Sequence, residues 1–431
     1  MVRQIAMGLV AIWLHATPAS GQVVALRAGQ VVDTESGTTA ANQIIIVESG
    51  VVTAVGPGVP IPDGADLIDL STSTVLPGLF DAHTHLCMNV RPGRDAGNYF
   101  LTTLQDSDAA RALDGVINGR SMLNAGFTTV RDIGNEGAYA CTELRRAIEA
   151  GRIVGPTIIN AGRIIAPFGG QFSLQPGRPN LGEPEYFFAD TRDEMVKAIR
   201  ENVHYGAMVI KIVVDDQDYI YSPDDIRFMK EEAARAGRRL AAHAWTAKGA
   251  HNAAEAGVAS IEHLWAIEDA DLELAKTNGV TAVFTPFPDE EWMACCQEHY
   301  PGFVSERPTA EEMAGAHAQQ IDRISSALRI GTLMVFGSDA VTELPGHTRG
   351  TLAMSRIDMF TEAGMTPAQL LRAMTTAAAE LLGVAEARGT IAPGMAADII
   401  ATRRNPLDDI QELKRVFFVM KDGVIVRQGP S

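Results

Sequence analysis

Apolar and polar positions alternate along this chain in two textures. From Val23 to Ile68, runs rich in β-branched residues (VVALRAGQVVD, NQIIIVESGVVTAVG) are broken by turn residues as far as Pro62 and Gly64, which predicts the hairpin-forming strands of a small β domain. Residues Ile391 to Gln428 repeat the texture in GMAADIIATRRNP and VFFVMKDGVIVRQG, with Asp422-Gly423 as a hairpin turn. The middle is different. Eight apolar runs, VLPGLFDAHTHL (75–86), GFTTVRDI (126–133), TIINAGRII (157–165), MVIKIVV (208–214), LAAHAW (240–245), ASIEHL (259–264), TAVFTP (281–286) and TLMVFGSDA (332–340), are separated by helical lengths such as 96–125, 142–149 and 192–204. Regular βα alternation predicts an α/β fold: a closed, TIM-like (β/α)8 barrel at 78–389, with a β-sandwich assembled from 22–77 and 390–431.

A chain of 431 residues suits that architecture, and 46% hydrophobic content excludes extended disorder. With 36 basic against 53 acidic residues the net charge is −17, which argues against nucleic acid or an anionic membrane surface as partner. The opening MVRQIAMGLVAIWLHATPASGQ has one early charge, an apolar run from Ile5 to Leu14 too short to span a bilayer, and small residues at Ala19, Ser20 and Gly21. It predicts a signal peptide over residues 1–21 and a periplasmic or secreted protein. No other segment reaches transmembrane length. Four cysteines, Cys87, Cys141, Cys295 and Cys296, are too few for a disulfide framework in so long a chain, so free buried thiols are expected.

Chemistry enters where the apolar runs end. His83 and His85 close the first, on one face by the strand period of two; Lys211 lies in the fourth, His243 and His263 end the fifth and sixth, and Asp339 ends the eighth. In a parallel barrel these ends open at one mouth, so six ligand-type residues converge without being neighbours in sequence. Any one strand-end histidine is more often a hydrogen-bonded core residue, and Asp339 alone is a plausible helix cap. The coincidence of all six points to metal. An ammonium at Lys211 is stranded in VIKIVV unless it snorkels to solvent or pairs with Asp215 or Asp216; burial favours the neutral amine, which reacts with carbon dioxide to give a carbamate able to bridge two cations.

HTH after PGLFDA, the strand lysine, the two single histidines and GSD resemble the amidohydrolase superfamily, in its binuclear subtype with a carbamylated lysine. TTVRDIGN, GPTIINAGRIIAP and AGVASIEH are similar to the branch of Xaa-Pro dipeptidases, lysine/arginine carboxypeptidases and ochratoxin amidohydrolases. The resemblance implies that His83, His85 and Asp339 hold one divalent ion, that His243 and His263 hold the other, and that carbamylated Lys211 bridges them. Zinc is the expected metal. Two loops depart from the pattern: GGQF stands where relatives often carry GGH, and VVDD follows Lys211 in place of a Ser-Gly-rich turn.

The expected chemistry is attack on an amide carbonyl by a metal-bridging hydroxide, with Asp339 relaying the proton to the leaving nitrogen. The substrate expected is a dipeptide or N-acyl amino acid, so the partners are a small molecule or short peptide and further copies of the chain in a homo-oligomer. Arg131, Tyr219, Tyr221, Trp245, His347 and Arg349 are the loop candidates for binding it. The alternatives are a cyclic amide hydrolase of the imidazolonepropionase or dihydroorotase kind, against which Lys211 counts, and a non-catalytic exported binding protein.

Overall fold

The computed structural model describes residues 23–95, 97–295 and 309–429; the expected leader and Cys296 lie outside the described residues. Strands β1 (Val23–Asp33) and β2 (Thr38–Glu48) pair antiparallel across a turn in which Gly37 takes a left-handed φ of 67°. Strand β3 (Val51–Gly56) extends the hairpin, and β4 (Asp66–Pro77) lies parallel to β1 on its other side. The chain then enters the barrel.

Eight segments line that barrel: β5 (Leu79–Thr84), β6 (Phe127–Asp132), β7 (Thr157–Asn160) with its offset continuation β8 (Ile164–Ala166), β10 (Val209–Val213), β11 (Arg239–Ala244), β12 (Ser260–His263), β13 (Thr281–Phe284) and β14 (Met334–Phe336), with β9 (Tyr186–Phe188) as a parallel addition beside β8. The run expected as one strand at 157–165 is therefore two, because the backbone turns at Gly162 with a φ of 72°. The ring closes at two seams, where Met208 N–H donates to the Asn160 carbonyl at 2.8 Å and Asp339 N–H donates to the His83 carbonyl at 2.9 Å. The helix expected over 96–125 also divides, into Tyr99–Gln105 and Asp108–Asn124, since Asn98 and Ser107 each cap a new start by accepting from Phe100 N and Ala110 N.

Beyond the barrel, β15 (Ile399–Thr402), β16 (Phe418–Lys421) and β17 (Val424–Gln428) return to β4. Both ends of the chain thus meet in one mixed seven-stranded sheet, ordered β17-β16-β15-β4-β1-β2-β3, around a core that includes Leu26, Ile45, Ile399 and Phe418. Within the barrel, Val209, Ala241, Val283 and Val335 pack together inside, while Ile210, Ile212, Ala242 and Ala244 pack into the helical shell. By the period of two, Lys211 shares the inner face with Val209, and His243 shares it with Ala241, so both rise above an apolar floor. Cys87 and Cys141 are buried free thiols.

Candidate metal centre

At the mouth of the barrel His83 Nε2 and His85 Nε2 point toward one atom, lying 3.7 and 3.4 Å from Asp339 Oδ1. Their other ring nitrogens are engaged. His83 Nδ1 donates to Glu262 Oε2 at 2.9 Å, and His85 Nδ1 donates to the Gly134 carbonyl at 2.7 Å. Since a carboxylate and a carbonyl only accept, both tautomers are set and each Nε2 keeps its lone pair. His83 Nε2 is buried without a hydrogen-bond partner, a state that costs free energy unless something positive meets it. These three donors lie within 4.8 Å of one another, an imidazole and carboxylate set that suits zinc and related divalent ions.

His263 stands between His83 and His243, its ring centroid 4.6 Å from that of each. Its Nδ1 shares a 2.8 Å hydrogen bond with the Thr285 hydroxyl and lies 3.7 Å from Asp339 Oδ2. Backbone strain accompanies this placement. His263 and Asp339 have φ of 69° and 47°, left-handed values that cost on the order of 1 kcal/mol or more each, which the surrounding barrel must hold in place. His85, Lys211, His243, His263 and Asp339 line a cleft of about 170 Å³, and His83 lies against Asp339 beside them, so the structure brings the six residues selected from the sequence into one place.

Burial sets the charge states. It pulls His83 and His263 well below the ordinary histidine value and His85 to about 3, leaving imidazoles neutral and ready to ligate. It pushes Asp339 up to about 7 against the opposing charge of Lys211. Lys211, 2% exposed, is lowered to about 8 by the same desolvation, with Glu262 opposing. Among the described residues it forms no ion pair.

Four of the expected substrate contacts are engaged elsewhere. Arg131 is 2% exposed and points into the barrel, donating to the Ala82 carbonyl at 2.6 Å, Ser260 Oγ at 2.9 Å and Glu262 Oε1 at 2.7 Å. Tyr221 is fully buried with its hydroxyl on the Ala189 carbonyl at 2.7 Å. Arg349 ties the carbonyls of His85, Met88 and Ala340 together. His347 faces a separate groove with Arg120, Thr351 and Lys414. Trp245 does reach the cleft, whereas Tyr219 is 59% exposed and lines no part of it.

Two features escaped the sequence reading. Glu262, fully buried one residue before His263, joins His83 to Arg131 and Ser260; the signal available was a charge inside the apolar run ASIEHL. Beside the cleft opens an aromatic cavity of about 500 Å³, sharing His263 and Asp339 with it and lined by Tyr99, Phe172, Trp245, Trp265, Phe287 and Trp292. Trp245 and Trp265 stack with centroids 5.0 Å apart and planes 3° from parallel. A first prediction follows from Glu262. Glu262→Gln is expected to weaken cation binding about 10–100-fold by loosening His83, read by competition with a chromophoric chelator. It should also lower the melting temperature, because Arg131 loses its buried partner.

A profile of the Amidohydrolase family matches residues 74–426. Ochratoxinase of Aspergillus niger is 29% identical over 427 residues, covering 90% of this chain and 84% of that protein. Imidazolonepropionase of Geobacillus kaustophilus is 24% identical over 390 residues, 83% of either chain. Among solved structures, a Xaa-Pro dipeptidase with bound methionine in its active site superposes with a TM-score of 0.81 at 26% identity, over 94% of this chain and 100% of that one. The A. niger ochratoxinase structure gives 0.78 at 24% identity, over 95% and 96%.

Proposed function

The chain belongs to the amidohydrolase family, in the branch of ochratoxinase and the Xaa-Pro dipeptidases, and is a hydrolase of amide bonds; from that premise we propose that it cleaves a dipeptide or an N-acyl amino acid at a binuclear centre bridged by a carbamate on Lys211. The observation that carries the reading is the convergence of six side chains carried by five barrel strands, with the buried His83 Nε2 left without a partner. His83, His85 and Asp339 would hold one cation, and His243 and His263 the other. Divalent ions there, zinc first among those the donors suit, would supply Lewis acidity, lowering the pKa of bound water to about 7 and polarising a carbonyl.

The chain's own residues do the rest. Lys211 Nζ, made less basic by burial, gives up one proton to become the free amine and a second on adding to carbon dioxide, and so exchanges an unpaired buried ammonium for an anion with two donor oxygens. Asp339 takes the proton of the attacking water on a carboxylate oxygen and returns it to the leaving nitrogen. Trp245, Trp265 and Trp292 offer one arm of the amide a flat, apolar berth and keep bulk water from the cleft. We read residues 78–389 as the catalytic unit, with 22–77 and 390–431 as its β domain, and the protein as exported to the periplasm or medium. No helix among the described residues is long and apolar enough to cross a membrane.

Removal of metal tests this. Dialysis against a chelator is expected to abolish amide hydrolysis and to lower the melting temperature, because cations at 100-fold their Kd contribute about 2.7 kcal/mol of stability. Zinc or manganese with bicarbonate should restore both. On a panel of dipeptides and N-acyl amino acids read by released amine, substrates with a large aromatic arm should have the highest kcat/KM. Turnover of cyclic amides alone would replace this reading with the cyclic amide hydrolase one.

A further inference from the structure

Gln171, in the GGQF loop, and Asp216, in VVDD, are far apart in sequence and meet at the cleft. Gln171 Nε2 donates to Asp216 Oδ2 at 2.7 Å, while Gln171 Oε1 accepts from the Tyr186 hydroxyl at 2.6 Å, so the amide is held at both ends. The same Asp216 oxygen lies 2.8 Å from His243 Nε2. That short contact lacks hydrogen-bond alignment, and His243, only 5% exposed, has its Nε2 buried and unpartnered.

A ring proton on Nε2 would point at the carboxylate in an aligned hydrogen bond, which this contact is not, and a lone pair there repels the oxygen unless a positive centre lies to one side of the line between them. A cation about 2.0–2.2 Å from each atom, with a bite near a right angle, separates them by about 3 Å. Asp215 is not the partner. It accepts from Trp245 N, Thr246 N and the Thr246 hydroxyl, and its Oδ1 is 3.8 Å from the His243 nitrogen. Asp216 also holds a left-handed φ of 84°, where glycine would sit without strain, yet the chain keeps a carboxylate there.

Resting on the binuclear reading above, we propose that Asp216 is a further ligand of the cation held by His243 and His263, aimed by Gln171. The added carboxylate makes that half of the centre harder and more negative, which favours manganese over zinc relative to a site of imidazoles and carbamate alone.

Calorimetric titration of metal-free wild type, Asp216→Asn and Gln171→Ala with Mn²⁺ and Zn²⁺ tests it, with electron paramagnetic resonance reporting coupled manganese pairs. Wild type should take two ions. Asp216→Asn should keep the first affinity and lose about 10–100-fold in the second, more for manganese than for zinc, and Gln171→Ala should lose less. Asp216→Gly, which suits the backbone, should show the same loss while melting no lower than wild type. Two ions bound by Asp216→Asn with unchanged or higher affinity would overturn the assignment, showing that the carboxylate merely covers His243 until metal displaces it. Wild type binding a single ion would overturn the binuclear reading and this ligand with it.

Discussion

Lys211→Ala is expected to leave a folded protein that binds one cation and turns over at least about 10³-fold more slowly, equivalent to about 4 kcal/mol of lost transition-state stabilisation. The reasoning is electrostatic. In the wild type a carbamate would replace an ammonium that desolvation has already weakened to a value near 8, and its two oxygens would join the His83–His85 half of the centre to the His243–His263 half. Alanine removes the bridge and leaves room at the cleft. Short carboxylic acids such as formate, acetate or propionate, added at millimolar concentration, should therefore fill the position and restore part of both the second metal and the rate. The cation-free variant should melt no lower than cation-free wild type, since it no longer buries an unpaired amine. Metal stoichiometry and steady-state kinetics with and without added carboxylate check the prediction. Full turnover with two ions in Lys211→Ala would remove the carbamate from the mechanism.

Asp339→Asn should be nearly as severe in rate and milder in metal content. The amide oxygen still reaches the two Nε2 atoms of His83 and His85 that lie 3.7 and 3.4 Å from the carboxylate, so a first cation is retained with reduced affinity. What asparagine cannot do is accept a proton. Loss of proton relay lowers kcat by about 10²–10⁴-fold with little change in KM. A matching loss of metal and rate would instead make Asp339 a ligand only.

Why the six residues gathered at the cleft were legible in the sequence, while most substrate contacts were not, has a physical explanation. An apolar strand that stops on a histidine or an aspartate announces itself because burying such a group is costly, and the period of two says which face it shares. Lys211, His243, His263 and Asp339 all carry that signature. Arg131 carries it too, yet its direction depends on Glu262, a partner 131 positions away that no local pattern predicts. Arg349 and Tyr221 read as loop residues and are drawn inward by unpaired backbone carbonyls, which a sequence does not display. The split of β7 from β8 turned on one glycine conformation, and the divided helix before β6 on two side-chain caps. The aromatic cavity draws residues from loops and helices spread from Tyr99 to Asp339, so it exists only once the chain has closed.

That closure has a bearing on how the protein is made. His83 stands on the first barrel strand and Asp339 just beyond the last, joined across the seam by the bond from Asp339 N–H to the His83 carbonyl. A nascent polypeptide that has not yet emerged past β14 has two imidazoles and no acid to complete their grip. On the metal reading proposed above, a cation would be acquired only once the whole ring is present, and truncated products would stay bare. Metal loading would then serve the cell as a certificate that the whole ring has been threaded shut.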